Sequence, residues 1–391
     1  MAREEMKKRI AQTIDSVADD MWALSLRIHA NPELAFKEYK ASEWLSEVLA
    51  QNGFKVTKPV AGLDTAFSAA WTSPAGPGPT IALLSEYDAL PGIGHACGHN
   101  IIGVASMTAG IALSKTLAKV PGTVRVVGTP AEEGGAGKVI MLEQGVFDGV
   151  DVAMMTHPGS KNTLGSTSLA ACRLIFKFTG KPAHAASVPH EGINALDALL
   201  QTYAGINALR QHVPTHVRIH GIITNGGQAP NIVPEFAEAI FSVRSATQDY
   251  HEVLLEKVRN CARAGALATG AKVEIEQKRT YAVNRPNKRL ARAFRSNMES
   301  LGQSVEDVQG GGGSTDFGNV SQAVPGLHPS INICKKPVPG HSHEMAEASC
   351  SEEGRKGMLI AAKTLALTSL DLFTDPGLLR EVKEEFAAGT K

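Results

Sequence analysis

Four short polar segments carry the residue types that bind transition metals and move protons. In chain order they are HACGHN at residues 95–100, TPAEE at 129–133, HP at 157–158 and GHSH at 340–343. Imidazole nitrogen, thiolate sulfur and carboxylate oxygen together suit a borderline-soft divalent ion. Two adjacent carboxylates can divide the work of hydrolysis, one binding metal and the other taking a proton from metal-activated water. Together the segments predict a binuclear metal site.

Each segment taken alone also has an ordinary structural explanation. Cys97 could be a small core residue between two loop histidines, since free cysteine is commonly buried and inert. Glu132 and Glu133 could form a solvated acidic turn at a helix N-terminus, where the helix dipole favours carboxylates. The metal site is favoured because four separate loops present complementary donors.

The hydrophobic pattern places these segments where strands end. Strands are predicted at Thr80–Leu84, Thr123–Gly128 and Val152–Met155, each followed by a polar loop. Helices follow the first two loops, and such α/β units carry their chemistry at the carboxyl ends of the strands. We predict that residues 1–166 and 285–391 form this catalytic, metal-binding α/β domain. Before Gly53, the apolar spacing predicts two surface helices.

Residues 167–284 have a different pattern. Long β-like runs at 171–179, 217–224 and 237–243 are interleaved with helical patterns at 195–209 and 250–267. This mixture predicts an inserted α+β domain with a sheet of its own.

Composition excludes several classes of protein. The chain has 391 residues, 39 basic against 39 acidic side chains and a pI near 7.2, so no basic surface for nucleic acid is expected. Five widely spaced cysteines do not form a disulfide scaffold pattern. The sequence contains no uninterrupted apolar run long enough to predict a membrane span, and the N-terminus does not show the pattern of a leader peptide. We expect a cytoplasmic protein, with a secreted or periplasmic one as the alternative if a leader was removed.

The ordered motifs DALP, HACGHN, PAEE, HP and a late GHS resemble those of the M20 metallopeptidases. The resemblance is to the aminoacylase-like branch, which includes auxin-conjugate, hippurate and aminobenzoyl-glutamate hydrolases. It extends from HANPEL, near residue 30, to the closing helix. It implies a catalytic domain with a central mixed sheet flanked by helices, and an inserted α+β lid or dimerisation domain. It also implies two divalent metal ions, zinc first with manganese or cobalt as alternatives, and a homo-oligomer, dimeric or higher.

The resemblance also assigns roles to the residues of the four segments. The implied metal ligands are Cys97, His99, Glu133, His157 and His341. Cys97 would bridge the two ions, and Glu132 would be the general base. His343 is the rival of His341, because the residue two positions after the ligand is here a second histidine.

One motif departs from the pattern of many M20 enzymes. Their H-x-D motif reads Glu86-Tyr87-Asp88 here, so the histidine ligand would come from His99. Asp88 would keep a catalytic supporting role by holding a ligand imidazole.

Substrate-binding residues are implied in the insert and in the loop QGGGGSTDFG at 309–318. By resemblance, His184 polarises the scissile carbonyl, and Asn231 and Arg244 hold the substrate carboxylate. Gly313 and Ser314 would contact the substrate, because glycines allow close backbone approach. The alternatives are a surface histidine, an arginine in a surface ion pair and a plain flexible turn.

The resulting expectation is an amidohydrolase that cleaves the amide between an aromatic acyl group and a C-terminal amino acid. Candidate substrates are ochratoxin A, N-acyl-phenylalanine, aminobenzoyl-glutamate and basic dipeptides, and STDF favours the aminobenzoyl-glutamate subgroup. The alternatives are a dipeptidase of the same family, a non-catalytic metal-binding scaffold, and an amidase with Cys97 as nucleophile. The last leaves PAEE and His341 without roles.

Overall fold

A computed structural model describes residues 2–165, 167–307 and 313–389. The chain forms two compact units: the second comprises Ser168–Val283 with Gly313 and Ser314, and the first comprises the segment up to Thr167 and the rest of the chain from Asn284 onward. The sequence pattern predicts that Gly313 and Ser314 belong to the catalytic domain with the rest of residues 285–391, and this boundary stays a prediction. Within the second unit, the Leu169 backbone N–H donates to the Gly313 carbonyl at 2.9 Å. The preceding residues of this glycine-rich loop, 308–312, lie outside the described part.

Strands and helices alternate along most of the chain. The strands are β1 (Lys55–Thr57), β2 (Phe67–Thr72), β3 (Thr80–Glu86), β4 (Thr123–Thr129), β5 (Val152–Met154), β6 (His157–Gly159), β7 (Ala170–Thr179), β8 (Arg218–Asn225), β9 (Phe236–Ser245), β10 (Lys272–Gln277), β11 (Gly326–Leu327) and β12 (Ser330–Asn332). The helices are α1 (Arg3–Ser16), α2 (Ala18–His29), α3 (Tyr39–Gln51), α4 (His99–Ser114), α5 (Gly137–Glu143), α6 (Ala195–Leu209), α7 (Gln248–Thr269), α8 (Lys288–Ser300), α9 (Phe317–Ala323), α10 (His343–Ala348), α11 (Glu352–Thr374) and α12 (Pro376–Ala388).

The first unit is built on a mixed six-stranded sheet in the order β1-β2-β4-β3-β5-β11. Strands β4, β3, β5 and β11 run parallel, whereas β1 and β2 form an antiparallel edge. The predicted mixed sheet flanked by helices is therefore confirmed. Because β3, β4 and β5 are parallel neighbours, their carboxyl ends deliver the loops HACGHN, PAEE and HP to one sheet edge.

One apolar helix, α4, packs on this sheet, and a second, α11, packs on α4. Every residue of α4 is buried, as expected for a helix with no polar face. Helix α11 packs against α4, α1 and α8. Among the described residues, α11 alone is long and apolar enough to cross a membrane, but 78% of the tested window is buried inside the protein, as in a core helix.

The second unit has an antiparallel sheet in the order β10-β7-β9-β8. Strand β7 alternates buried and less buried residues, and its buried Phe176 and Phe178 join Phe241 of β9 in a separate core. Helices α6 and α7 pack on each other and on β7 and β9. The predicted α+β insert has this architecture, and its role as a lid or dimerisation domain stays a prediction.

The N-terminal region differs from the prediction of two helices before Gly53. It has three, since α1 precedes α2 and α3. Helix α1 buries Met6, Ile10 and Ile14, which recur every four residues and form one apolar stripe. The charged residues between them conceal this stripe when composition alone is considered.

Candidate metal centre

The turn between β3 and α4 presents Cys97 and His99 from either side of Gly98. Gly98 has φ +77°, in the left-handed region that favours glycine, and it caps α4. A Cβ at this position would approach the Pro158 side chain to 2.8 Å. Glycine is therefore required both for the turn and for the close approach of the HACGHN loop to the His157–Pro158 loop.

The other two loops have strained backbone next to their functional side chains. Ala131, just before Glu132, has φ +61°, and His341 has φ +56°, values that non-glycine residues rarely adopt. Each is held by a hydrogen bond to another loop: Ala131 N–H donates to Glu38 Oε1 at 2.9 Å, and His341 N–H donates to the Ala96 carbonyl at 3.1 Å. Surrounding contacts thus hold both side chains in unusual positions.

These loops bring together one group of potential metal ligands, which we call the donor cluster. Its members are Glu86, Asp88, Cys97, His99, Glu132, Glu133, His157 and His341. Within it, four overlapping sets of three residues each have ligand atoms within 4.8 Å of one another. Cys97 Sγ lies 3.3 Å from His157 Nε2 and 3.7 Å from His341 Nε2, and so contacts two imidazoles.

Two buried atoms of the donor cluster lie close to other ligand atoms without a hydrogen bond. Glu133 Oε1 is 3.3 Å from His341 Nε2 and 4.0 Å from His99 Nε2. Yet among the described residues neither Glu133 Oε1 nor His99 Nε2, both buried, has a hydrogen-bond partner. Buried polar atoms normally have one. Convergence of these two atoms with the sulfur of Cys97 fits a centre that holds divalent cations.

Hydrogen bonds behind the ligands orient two of the imidazoles. His99 Nδ1 is 3.0 Å from Asp88 Oδ1, and His157 Nδ1 is 2.7 Å from the Pro158 carbonyl. Since these oxygens only accept, each Nδ1 carries a proton, and in its neutral form each ring presents a lone pair at Nε2. Such contacts are typical of histidines that bind metals.

Burial and charge strongly perturb the pKa values of the cluster. Burial raises the pKa of Cys97 to about 12, only partly offset by His99, and burial lowers the pKa of His157 to about 4. For His99, burial acts to lower the pKa, but Glu86, Cys97 and Asp88 outweigh it and raise the pKa well above its usual value. The same negative charges that hold a proton on His99 favour a metal cation in its place.

Of the two candidate histidines near the C-terminus, only His341 joins the donor cluster. His343 begins the short helix α10 and is exposed. Among the described residues it belongs to no set of potential metal ligands.

The substrate-binding candidates lie in the second unit. His184 and Asn231 are neighbours there, because Ala185 N–H donates to the Asn231 carbonyl at 3.0 Å. Arg244 is on β9, half-buried, with its Nε 3.5 Å from Ser242 Oγ. Ser314 has a buried Oγ and follows Gly313. Their roles toward a substrate stay predictions.

Sequence reasoning missed a buried ion-pair network that begins at Glu86 of the donor cluster. Lys138 forms ion pairs with both Glu86 and Asp316, and all three side chains are buried. In the sequence, Glu86 stands out only as a departure from the H-x-D motif. A signal existed, because a lysine in the first turn of α5 opposes the helix dipole and so needs a reason such as a buried acidic partner.

Comparison with known proteins agrees with this geometry. The sequence pattern of peptidase family M20/M25/M40 matches residues 82–367. The chain is 41% identical to the Xaa-Arg dipeptidase of Mus musculus over 98% of this chain and 92% of that relative. It is 32% identical to one of the subunits of the p-aminobenzoyl-glutamate hydrolase of Escherichia coli K12, over 96% of this chain and 92% of the relative.

Solved structures share the fold at low sequence identity. A putative aminohydrolase from Staphylococcus aureus superposes with a TM-score of 0.79 and 20% identity, over 93% of this chain and 99% of the other. A Bacillus subtilis protein described as a dinuclear metal binding peptidase from the M20 family superposes with a TM-score of 0.69 and 21% identity, over 92% and 99%. With its motifs, fold and relatives in agreement, this chain belongs to peptidase family M20/M25/M40 and is a metal-dependent hydrolase of amide bonds.

Proposed function

We propose that this protein is a binuclear amidohydrolase that releases a C-terminal amino acid from an amide. The observation that carries the proposal is the grouping of Glu132 and Glu133 with His99, with ligand atoms within 4.8 Å of one another. Two adjacent carboxylates at a metal-ligand cluster allow one to bind metal and the other to move protons. Zinc is the proposed metal, with manganese or cobalt as alternatives, because thiolate and imidazole donors suit it.

Glu132 is the proposed general base. Divalent ions in the donor cluster would supply Lewis acidity toward water and the amide carbonyl. Burial and the charges of Glu86, Asp316 and Glu133 raise the pKa of Glu132 well above its usual value. A carboxylate with a raised pKa accepts a proton from water more readily and can then pass it to the leaving amine.

His184 is proposed to polarise the scissile carbonyl. Its Nδ1 accepts hydrogen bonds from the backbone N–H groups of Ala186 and Ser187, at 3.3 and 3.2 Å. In the neutral ring the proton is therefore on Nε2, on an exposed side chain that can donate to a substrate oxygen. Arg244 and Asn231 are proposed to bind the substrate carboxylate, for which a guanidinium offers paired donors.

Dipeptides that end in arginine are the first substrate candidates. The Mus musculus relative is named for that specificity and aligns with nearly the whole chain. p-Aminobenzoyl-glutamate comes second, on the more distant Escherichia coli relative. N-acyl-phenylalanine and ochratoxin A have no support from the relatives named above.

Elemental analysis combined with a substrate panel tests the proposal. The panel contains Xaa-Arg dipeptides, p-aminobenzoyl-glutamate, N-acyl-phenylalanine and ochratoxin A, assayed before and after chelation. We expect about two ions per chain and hydrolysis that is lost on chelation and restored by metal. Full activity in the metal-free protein would instead support Cys97 as a nucleophile.

We also propose a cytoplasmic homo-oligomer. Edge strand β8 of the second unit exposes Ile222 (64%) and Ile223 (41%), and an exposed apolar edge favours pairing with a second copy. All five cysteines are free, as is usual for a reducing compartment. Light scattering on the wild type and on Ile222→Lys, with fractionation of the native host, tests both statements.

A further inference from the structure

A buried ion-pair triad of Glu86, Lys138 and Asp316 shares Glu86 with the donor cluster. Lys138 is 0% exposed. Its Nζ contacts Glu86 Oε2 and lies 2.6 Å from Asp316 Oδ1, while its backbone N–H donates to Asp316 Oδ2 at 2.9 Å. A buried ammonium is retained only with such partners, so the lysine fixes the position of both carboxylates.

The second oxygen of Glu86 is directed at His99. Glu86 Oε1 lies 3.2 Å from His99 Nε2, yet among the described residues this Nε2 makes no hydrogen bond. Metal bonds of about 2.0–2.2 Å place two tetrahedral donors about 3.3–3.5 Å apart. The two atoms are thus spaced as two ligands of one cation, and Glu86, Asp88 and His99 form one of the four potential ligand sets.

We propose that Glu86 is an additional oxygen ligand of the ion that His99 binds, and that Lys138 is the residue that positions it. Lys138 occupies Oε2 and thereby leaves Oε1 for the ion. Asp316 anchors the ammonium from the other side, without contact to His99. The inference rests on the proposed function in one respect, which is that the donor cluster binds metal.

Cobalt titration of the metal-free protein tests the role of Glu86. The variant is Glu86→Gln, which keeps the shape of the side chain, and the matched control is Asp316→Asn, which changes the other partner of Lys138. Chelator competition gives the affinity of each ion, and the visible d–d absorption of Co²⁺ reports its coordination geometry.

We expect two ions in the wild type, one of them at least about tenfold weaker in Glu86→Gln. We also expect altered d–d bands in Glu86→Gln but wild-type bands in Asp316→Asn. Wild-type affinities and bands in a folded Glu86→Gln protein would overturn the ligand role. If the wild type itself binds no ion, the metal-centre proposal fails as well, which distinguishes the two failures.

The role of Lys138 is tested by Lys138→Met in the wild-type and Glu86→Gln backgrounds. If the lysine acts through Glu86, Lys138→Met weakens the binding of the same ion in the wild-type background. It then causes no further loss of affinity in the Glu86→Gln background. An equal loss in both backgrounds would show a general structural effect and overturn the positioning role. Circular dichroism establishes folding, and if Lys138→Met does not fold, we expect Lys138→Met/Glu86→Gln to recover structure, because it leaves fewer unpaired buried charges.

Discussion

Asp88 connects two loops of the donor cluster through His99. The His99 Nδ1 donates to Asp88 Oδ1 at 3.0 Å, and the other carboxylate oxygen accepts from the Glu133 backbone N–H at 2.9 Å. One buried side chain therefore sets both the orientation of an imidazole and the position of a carboxylate. That Asp88 supports a metal ligand through this contact stays a prediction.

Asp88→Asn should weaken metal binding without unfolding the protein. The amide removes the negative charge behind His99, and such supporting partners typically contribute about 10- to 100-fold to metal affinity. Chelator competition measures the effect, with the exposed Asp64→Asn as control. Unchanged affinity in Asp88→Asn would show that the contact does not support the ion.

Glu132→Gln should abolish most of the hydrolysis while both ions stay bound. General acid–base catalysis contributes typically about 100- to 10,000-fold, and glutamine cannot move the proton. Elemental analysis and kcat are measured together, with the exposed Glu47→Gln as control. Loss of an ion together with the activity would instead make Glu132 a ligand.

His184→Ala should lower kcat and leave the metal content unchanged. The substitution removes one predicted hydrogen bond to the carbonyl oxygen. Loss of a single donor in a comparable role lowers kcat by about 100- to 1,000-fold. The nearby exposed His190→Ala is the matched control in the same unit. A change in KM alone would argue for substrate binding without carbonyl polarisation.

The meeting of HACGHN, PAEE and HP could be predicted because parallel strands deliver their loops to one edge. Each strand is a short apolar run that ends in a polar loop, and this pattern is local in sequence. Strand order was not predicted, so the central position of β3 between β4 and β5 became visible only in the structure. The short strands β1, β6 and β11 have too few residues for a periodic signal.

The ion-pair triad of Glu86, Lys138 and Asp316 could not be predicted for a different reason. Lys138 reaches partners 52 and 178 residues away in sequence. Such pairs depend on how β3, α5 and the segment before α9 pack. The spacing of nearby residues in the sequence does not indicate this packing. The unfavourable position of the lysine in the first turn of a helix nevertheless indicates that it has buried acidic partners.

His251 should make the second unit less stable in acid. It is fully buried in α7, neither ring nitrogen has a hydrogen-bond partner among the described residues, and burial lowers its pKa from 6.5 to about 4. A base whose pKa is lower in the folded state stabilises the fold fully at pH values above its pKa in the unfolded chain. This stabilisation is lost as the pH falls from about 6.5 toward 4.

The expected loss between pH 7 and pH 5 is about 2 kcal/mol in the free energy of unfolding, at 1.36 kcal/mol per pKa unit. His251→Leu should reduce the pH dependence by that amount, whereas the exposed His212→Leu should not. Urea unfolding at both pH values measures the difference. Parallel wild-type and His251→Leu profiles would contradict the assignment to His251.

Gly98→Ala and Gly92→Ala separate backbone strain from steric clash. Both glycines have nearly the same φ, +77° and +78°, but an added Cβ meets Pro158 at 2.8 Å only at Gly98, and meets nothing within 4 Å at Gly92. A left-handed conformation costs an alanine roughly 1–2 kcal/mol, so both variants should lose about that much stability.

Only Gly98→Ala should also displace Pro158 and with it the neighbouring His157, because the contact is with a rigid proline ring. We therefore expect weaker metal binding in Gly98→Ala and unchanged binding in Gly92→Ala, measured by chelator competition beside thermal unfolding. Equal metal affinity in the two variants would mean that the turn tolerates the added methyl group. The close approach of the HACGHN loop to Pro158 would then not be needed for the centre.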